Sequence, residues 1–417
     1  MLENKDVTFE EVYGSDAGKK ERVEKLKKDF FAHFKHDTCD VFTACGRTEI
    51  VGNHTDHNGG KVIAASIDMD TIAAACKNDS DMVRIISEGY DGMIEVNIKE
   101  VASVPHEGGT NALLAGMLEA VEKFGYKAAG FDAYVTTNVI RAAGVSSSAS
   151  FEMVVCAILN YFFNDNQMSY EMYAKVGQYA ENVYWEKASG LMDQMACAVG
   201  GAIMLDFSEE GKASYHKIDF SFQKDGYELV IVNTGKGHAD LSKDYSDIPM
   251  EMRQVAKELG VSRMCETTKE KLLQFLAEDN GIEKINNDRA ILRSLHFLEE
   301  TKRVEDMEAA AKAGDFKKIL SIIDASGKSS WEWLQNCYTN TGYTEQKITL
   351  TLALTQMYLD KLGAGVCRVH GGGFAGVIAC ILPEKDTADY VKYIGKYVGA
   401  DNVYPMQIRQ IGAVHIK

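Results

Sequence analysis

Three segments of this 417-residue chain gather side chains that could handle charge on a small ligand. The first, "GRTEIVGNHTDHNGG" at residues 46–60, sets Arg47, Asn53, His54, Asp56 and His57 among glycines and between two apolar runs. A surface turn needs only two or three such residues, so the density points to ligand contact. The second, "NVIRAAGVSSSASFE" at 138–152, passes from a strand through Ala142, Ala143, Gly144 and Val145 to Ser146, Ser147 and Ser148 at the start of a helix. Small side chains let main-chain N–H groups close on an anion, and a helix N-terminus adds unpaired donors and partial positive charge. That suits phosphate, and the Ser148 hydroxyl can also ligate Mg2+; the same serines would equally serve as an ordinary N-cap. The third, "RVHGGGFAGVIACIL" at 368–382, places Gly371, Gly372 and Gly373 before an apolar strand, so a ligand or a neighbouring helix comes close to the backbone there. "HTDH" at 54–57 could offer metal nitrogens, yet no C-x-x-C or H-E-x-x-H companion accompanies it.

The elements that must carry these loops are mixed. "MVRIISE" and "MIEVNI" read as strands flanking the turn "GYDG". "TNALLAGMLEAVEKFG" has apolar residues at helical spacing, "FDAYVTTNV" alternates like a strand, and 150–163 is apolar enough for a buried helix. After "GGAIMLDFSEE" and the strand-like "YELVIVNT", long charged helical stretches follow at 247–325 and 344–361. A helix near 384–396 and a last strand "MQIRQIGAVHI" close the chain. Strands and helices do not alternate as βαβ units, so the fold class is α+β. The length and the shift in composition predict two domains, 1–205 and 206–417.

Composition narrows the partners. A net charge of −16 disfavours nucleic acid and anionic membranes, which need clustered Lys and Arg to displace counterions. No stretch approaches the about eighteen apolar residues of a membrane span. Nine cysteines without a C-x-x-C pair fit free thiols in a reducing cytoplasm better than a disulfide framework.

Taken in order, the three segments resemble the GHMP small-molecule kinases, and within them the galactokinases. The family patterns G-R-x-N-[LI]-I-G-E-H-x-D-Y-x-x-G, P-x-G-G-G-L-S-S-S-A-S and R-x-T-G-G-G-F-G-G are matched by "GRTEIVGNHTDHNGG", "IRAAGVSSSAS" and "RVHGGGFAGV", and "IRQIGAV" is similar to the family's C-terminal strand. The resemblance implies a two-domain fold with its active site in the cleft between the domains, and ATP-dependent phosphorylation of the anomeric hydroxyl of galactose, with Mg2+ as cofactor. It directs attention to a fourth segment, "ENVYWEKASGLMDQMACAVGG", where Glu181 and Asp193 fall on the family's metal-binding Glu and catalytic Asp. It further implies phosphate binding along 142–148, Mg2+ held by Ser148 and Glu181, charge stabilisation by Arg47, and sugar contacts from Asn53, His54, Asp56 and Tyr245.

The chain departs from the pattern at several points. Glu49 stands where the family has Asn, Asn53 where it has Glu, His57 where it has Tyr, and Ala142 and Ala143 where it has glycines. The spacing from Tyr245 to the following Arg is longer than in the family. The loss of Glu at 53 keeps a second sugar open, galacturonate, because an Asn there does not repel a C6 carboxylate. From a different class comes a catalytically silent sugar sensor on the same fold.

Overall fold

The computed structural model describes residues 7–106, 109–140, 144–187, 189–235, 241–278, 280–339, 342, 344–374 and 376–417. Ala142 and Ala143 of the expected phosphate loop lie outside them.

Two antiparallel strands dominate the first sheet: β1 (Asp40–Val51) and the 17-residue β2 (Lys61–Lys77). β2 is long enough to serve two further neighbours. Its second half pairs with β5 (Phe131–Thr137) and its first half with β6 (Ala202–Asp206), which pairs in turn with β7 (Ser214–Ile218). Beyond β5 lie β3 (Met82–Ser87) and β4 (Ile94–Asn97), the hairpin read from the sequence. β5 is buried along nearly its whole length, because helices cover both faces of the sheet.

Strand periodicity divides the apolar residues between those faces. Phe42, Ala44, Ala73 and Ala75 pack against the helices Thr110–Lys123 and Ser147–Phe163. Their alternates Val41, Ile72 and Ala74 meet the helix Ala17–Phe34.

The second sheet, order β11-β8-β10-β9, consists of β8 (Tyr227–Asn233), β9 (Val366–His370), β10 (Val377–Pro383) and β11 (Val403–Met406). One core cluster joins the two sheets: Ile50, Ile63 and Ile67 from the first, Ile231, Ala379 and Ile381 from the second, and Val304, Ile319 and Ile323 from the long helices Asp288–Ala313 and Phe316–Ser329.

The division expected at 205/206 falls at the end of β6, ahead of its hairpin partner β7. One expectation is corrected. The closing stretch 406–416 is not one strand: it leaves the second sheet at Met406 and enters the first as β12 (Val414–Ile416), beside β1. Gly412 lets the tail lie flat against the helix Met192–Val199, since a Cβ there would stand 2.1 Å from the carbonyl oxygen of Ala198.

Candidate active site

β1 carries the first segment and bends twice, with register shifts between Cys45 and Arg47 and between Glu49 and Val51. Gly46 sits in the first bulge because the loop expected to bind phosphate crosses over it; a Cβ would lie 2.8 Å from the carbonyl oxygen of Val145. The next residue then donates its main-chain N–H to that same oxygen at 3.1 Å.

From this anchor the buried Arg47 side chain reaches Asp193. Nε and Nη2 donate to the two carboxylate oxygens at 2.8 Å each, while Nη1 donates to the carbonyl of Gly144. The Ser146 hydroxyl also donates to Asp193. Ser146 adopts a left-handed backbone, φ 57°, and makes no capping bond, so the first N–H groups of the Ser147–Phe163 helix are left without a side-chain cap. This disfavours the plain N-cap reading. Burial works to raise the Asp193 carboxyl, but the Arg47 guanidinium and the Ser146 hydroxyl outweigh it and hold the group below the ordinary carboxylate range. The Asp193 side chain keeps about a third of its surface open to a ligand.

Next to this cluster, the Ser148 hydroxyl donates to the buried Glu181 at 3.1 Å. Lys187 also bonds both oxygens of Glu181, at 2.9 and 3.0 Å. A carboxylate and a hydroxyl so close together are hard oxygen donors of the kind Mg2+ accepts. The Lys187 ammonium is a cation already seated there, on a side chain that is 55% exposed.

The sugar-facing residues expected from the first segment divide into two groups. Asp56 stands at a cavity of about 250 Å³ shared with Gly190, Leu191, Lys212 and Arg263, two residues from Asp193 along the chain at Leu191. Asn53 does not face a ligand. Its amide nitrogen donates to Glu49 at 3.1 Å and to the carbonyl of Gly371 at 2.8 Å, and its oxygen accepts from Asn336 at 2.8 Å. With Ser330 completing the set at 3.4 Å, the amide has no bonding capacity left for a C6 substituent. The amide expected to meet the sugar is thus taken up by these four partners.

Glu49 and Asn53, which have exchanged the family's residues, are thus partners here, and the buried charge of Glu49 is met by Arg368 at 3.0 Å. His54, at φ 57°, donates from Nε2 to the carbonyl of Gly372 at 2.9 Å, so its Nδ1 accepts from His57 at 3.1 Å. Burial, then His57, push its pKa down to about 3. Tyr245 donates to the carbonyl of Gly373 at 2.9 Å and its ring lies over Gly372, where a Cβ would be 2.3 Å from it. The three glycines therefore let a tyrosine and two histidine-loop residues close on the backbone.

Sequence reasoning missed two features. A cavity of about 550 Å³ opens directly from Ser147 and Ser148 and is walled by Tyr90, Met93, Phe151 and Trp185. "GYDG" read only as a turn, and the tyrosine inside it, Tyr90, was the available signal. The second is a set of distant residues more than 240 positions away: His296 and Glu300, on one helix, bond the main chain of Gly52 and Asn53, and Asn336 bonds the Asn53 side chain. Nothing in a single amphipathic helix marks these.

With this geometry in hand, comparison with known proteins is direct. Residues 112–201 match the GHMP kinases N terminal domain and residues 28–77 the galactokinase galactose-binding signature. The chain is 29% identical over 381 residues to a galactokinase of Clostridium perfringens (strain SM101 / Type A), covering 89% of this chain and 92% of the relative. It is also 29% identical over 397 residues to a galactokinase of Lactococcus lactis subsp. lactis (strain IL1403), covering 92% and 94%. Among solved structures, Lactococcus lactis galactokinase complexed with galactose superposes with a TM-score of 0.78 at 24% identity, over 94% of this chain and 99% of that one. Methanococcus jannaschii mevalonate kinase follows with a TM-score of 0.62 at 14% identity, over 90% and 100%. The chain therefore carries a GHMP kinase N-terminal domain and a galactokinase galactose-binding signature, and it is similar to galactokinases over about nine-tenths of its length.

Proposed function

We propose that this chain is a galactokinase, transferring the γ-phosphoryl group of ATP to the anomeric hydroxyl of galactose to give α-galactose 1-phosphate. The observation that carries the reading is the clamp of Arg47 and Ser146 on Asp193, which unites three segments distant in sequence at one carboxylate. The sugar enters from the Asp56 side, and the nucleotide base occupies the cavity walled by Tyr90 and Trp185. Its phosphates then run past Ser148 toward Asp193.

Phosphoryl transfer depends on alignment and charge neutralisation more than on covalent help. Asp193, ionised and fixed at both oxygens, accepts a hydrogen bond from the anomeric hydroxyl and aims its oxygen at phosphorus. A carboxylate of lowered basicity is a weak base, so its chief work is orientation, with the proton passing to it as the new P–O bond forms. Arg47 lies beside the developing negative charge and stabilises it. Ser148 and Glu181 would hold Mg2+, which when bound supplies charge neutralisation on the β and γ phosphates. Nine free cysteines and the need for ATP fit a reducing cytoplasm.

One observation favours a second sugar, galacturonate: Lys212 and Arg263 line the cavity beside Asp56, together with Glu209, which pairs with Lys212. Phosphotransfer assays with galactose and galacturonate separate the two; turnover of galacturonate alone overturns the first reading. Sugar and ATP binding without any product would instead mark a sensor.

A further inference from the structure

The main chain that presents His54 and Asp56 is held from behind by one helix. Glu300, buried in the Asp288–Ala313 helix, accepts the N–H of Gly52 at 3.0 Å and that of Asn53 at 3.2 Å. One turn earlier, His296 bonds the carbonyl oxygen of Asn53 through Nε2 at 2.9 Å. A carbonyl only accepts, so Nε2 carries the proton and Nδ1 accepts from the Ser329 hydroxyl at 2.9 Å. Burial favours the same neutral ring by pushing its pKa down. Glu300 is itself fixed by the Ser326 hydroxyl and by Arg303 at 2.7 Å.

Both main-chain groups of Asn53 are therefore bonded to side chains spaced i and i+4 on one helix face. The loop needs this restraint. Gly52 stands at φ 108° and His54, which is not a glycine, at φ 57°, a backbone region that bulky residues avoid. The catalytic cluster has separate anchors, since Arg47 is held by Val145, Gly144 and Asp193.

We propose that His296 and Glu300 are positioning residues for sugar binding, fixing the main chain of Gly52 and Asn53 and hence the aim of His54 and Asp56. This rests on the reading of His54 and Asp56 as sugar contacts. Removing the clamp should weaken sugar binding and spare both the nucleotide site and the chemistry.

The test compares His296→Ala, His296→Gln and Glu300→Gln in the full-length protein, by steady-state kinetics and by amide hydrogen exchange at residues 52–57. His296→Ala should raise the sugar KM about tenfold, the scale of one buried hydrogen bond, with ATP KM and kcat within about threefold. Exchange at 52–57 should quicken. His296→Gln, whose amide can donate to the same carbonyl, should recover most of the sugar affinity. Glu300→Gln keeps an acceptor for the two amides but turns an amide toward Arg303, so it should fall between the two. Unchanged exchange in His296→Ala would overturn the clamp. Faster exchange with an unchanged sugar KM would instead overturn the placement of the sugar at this loop. An equal rise in both KM values, not rescued by His296→Gln, would mean a general structural role and would also overturn the proposal.

Discussion

Replacing Asp193 by Asn changes one atom and removes one charge, and the consequences can be worked from its contacts. The carboxylate receives two bonds from Arg47 at 2.8 Å and a third from Ser146. An Asn can accept on its oxygen but must turn its NH2 toward a guanidinium or a hydroxyl, so one charge-assisted bond is lost and Arg47, only 7% exposed, loses its counter-ion. The anomeric hydroxyl also loses its negatively charged acceptor. Loss of a positioned general base costs about 10²–10⁴ in rate, equivalent to roughly 3–5 kcal/mol of barrier. The variant should therefore turn over at least about a hundredfold more slowly in an ADP-release assay. Sugar binding followed by calorimetry should stay within about threefold, because Asp56 and His54 are held by other contacts. A kcat within about tenfold of the parent would refute the assignment of Asp193. Equal loss of sugar binding and turnover would refute the separation of the two clusters.

Three further outcomes are expected. Glu181→Gln, which removes the only carboxylate bonded to Ser148 among the described residues, should raise the Mg2+ concentration for half-maximal activity about tenfold or more; an unchanged Mg2+ titration rules out the site. Trp185→Ala strips an aromatic wall from the 550 Å³ cavity and should raise the ATP KM about tenfold, the scale of one base–aromatic stack, with the sugar KM unchanged. A raised sugar KM would put the nucleotide elsewhere.

Asp70 bears on stability rather than turnover. Burial acts to raise its carboxyl, but Arg409 and Arg22 overcome this and lower it to about 2. An unfolded Asp titrates near about 3.9, so the folded state binds the proton less readily, and the stabilisation is full above that value and lost as pH falls toward 2. Thermal melts should thus show Tm insensitive to this group between about pH 7 and 5 and falling below that. Asp70→Asn should lower Tm at neutral pH and flatten the acid decline; an unaltered acid limb would exclude Asp70 as its source.

Much of the layout was legible in the chain itself. The β3–β4 hairpin, the Thr110–Lys123 and Ser147–Phe163 helices and β8 follow from local periodicity and turn residues, which act over a few positions. The pairing of Ser148 with Glu181 and of Arg47 with Asp193 was accessible through motif resemblance alone, since no local rule links residues over 30 and over 140 positions apart.

Other features only the packed molecule could decide. Asn53, expected to meet the sugar, is absorbed by Glu49, Gly371 and Asn336, and the last segment divides between two sheets instead of forming one strand. The reason is geometric. Local sequence sets which conformations a segment can adopt, whereas a buried polar group takes whichever partners surround it in space, and His296 and Glu300 on one helix and Asn336 in a later segment reach it only once the chain has packed.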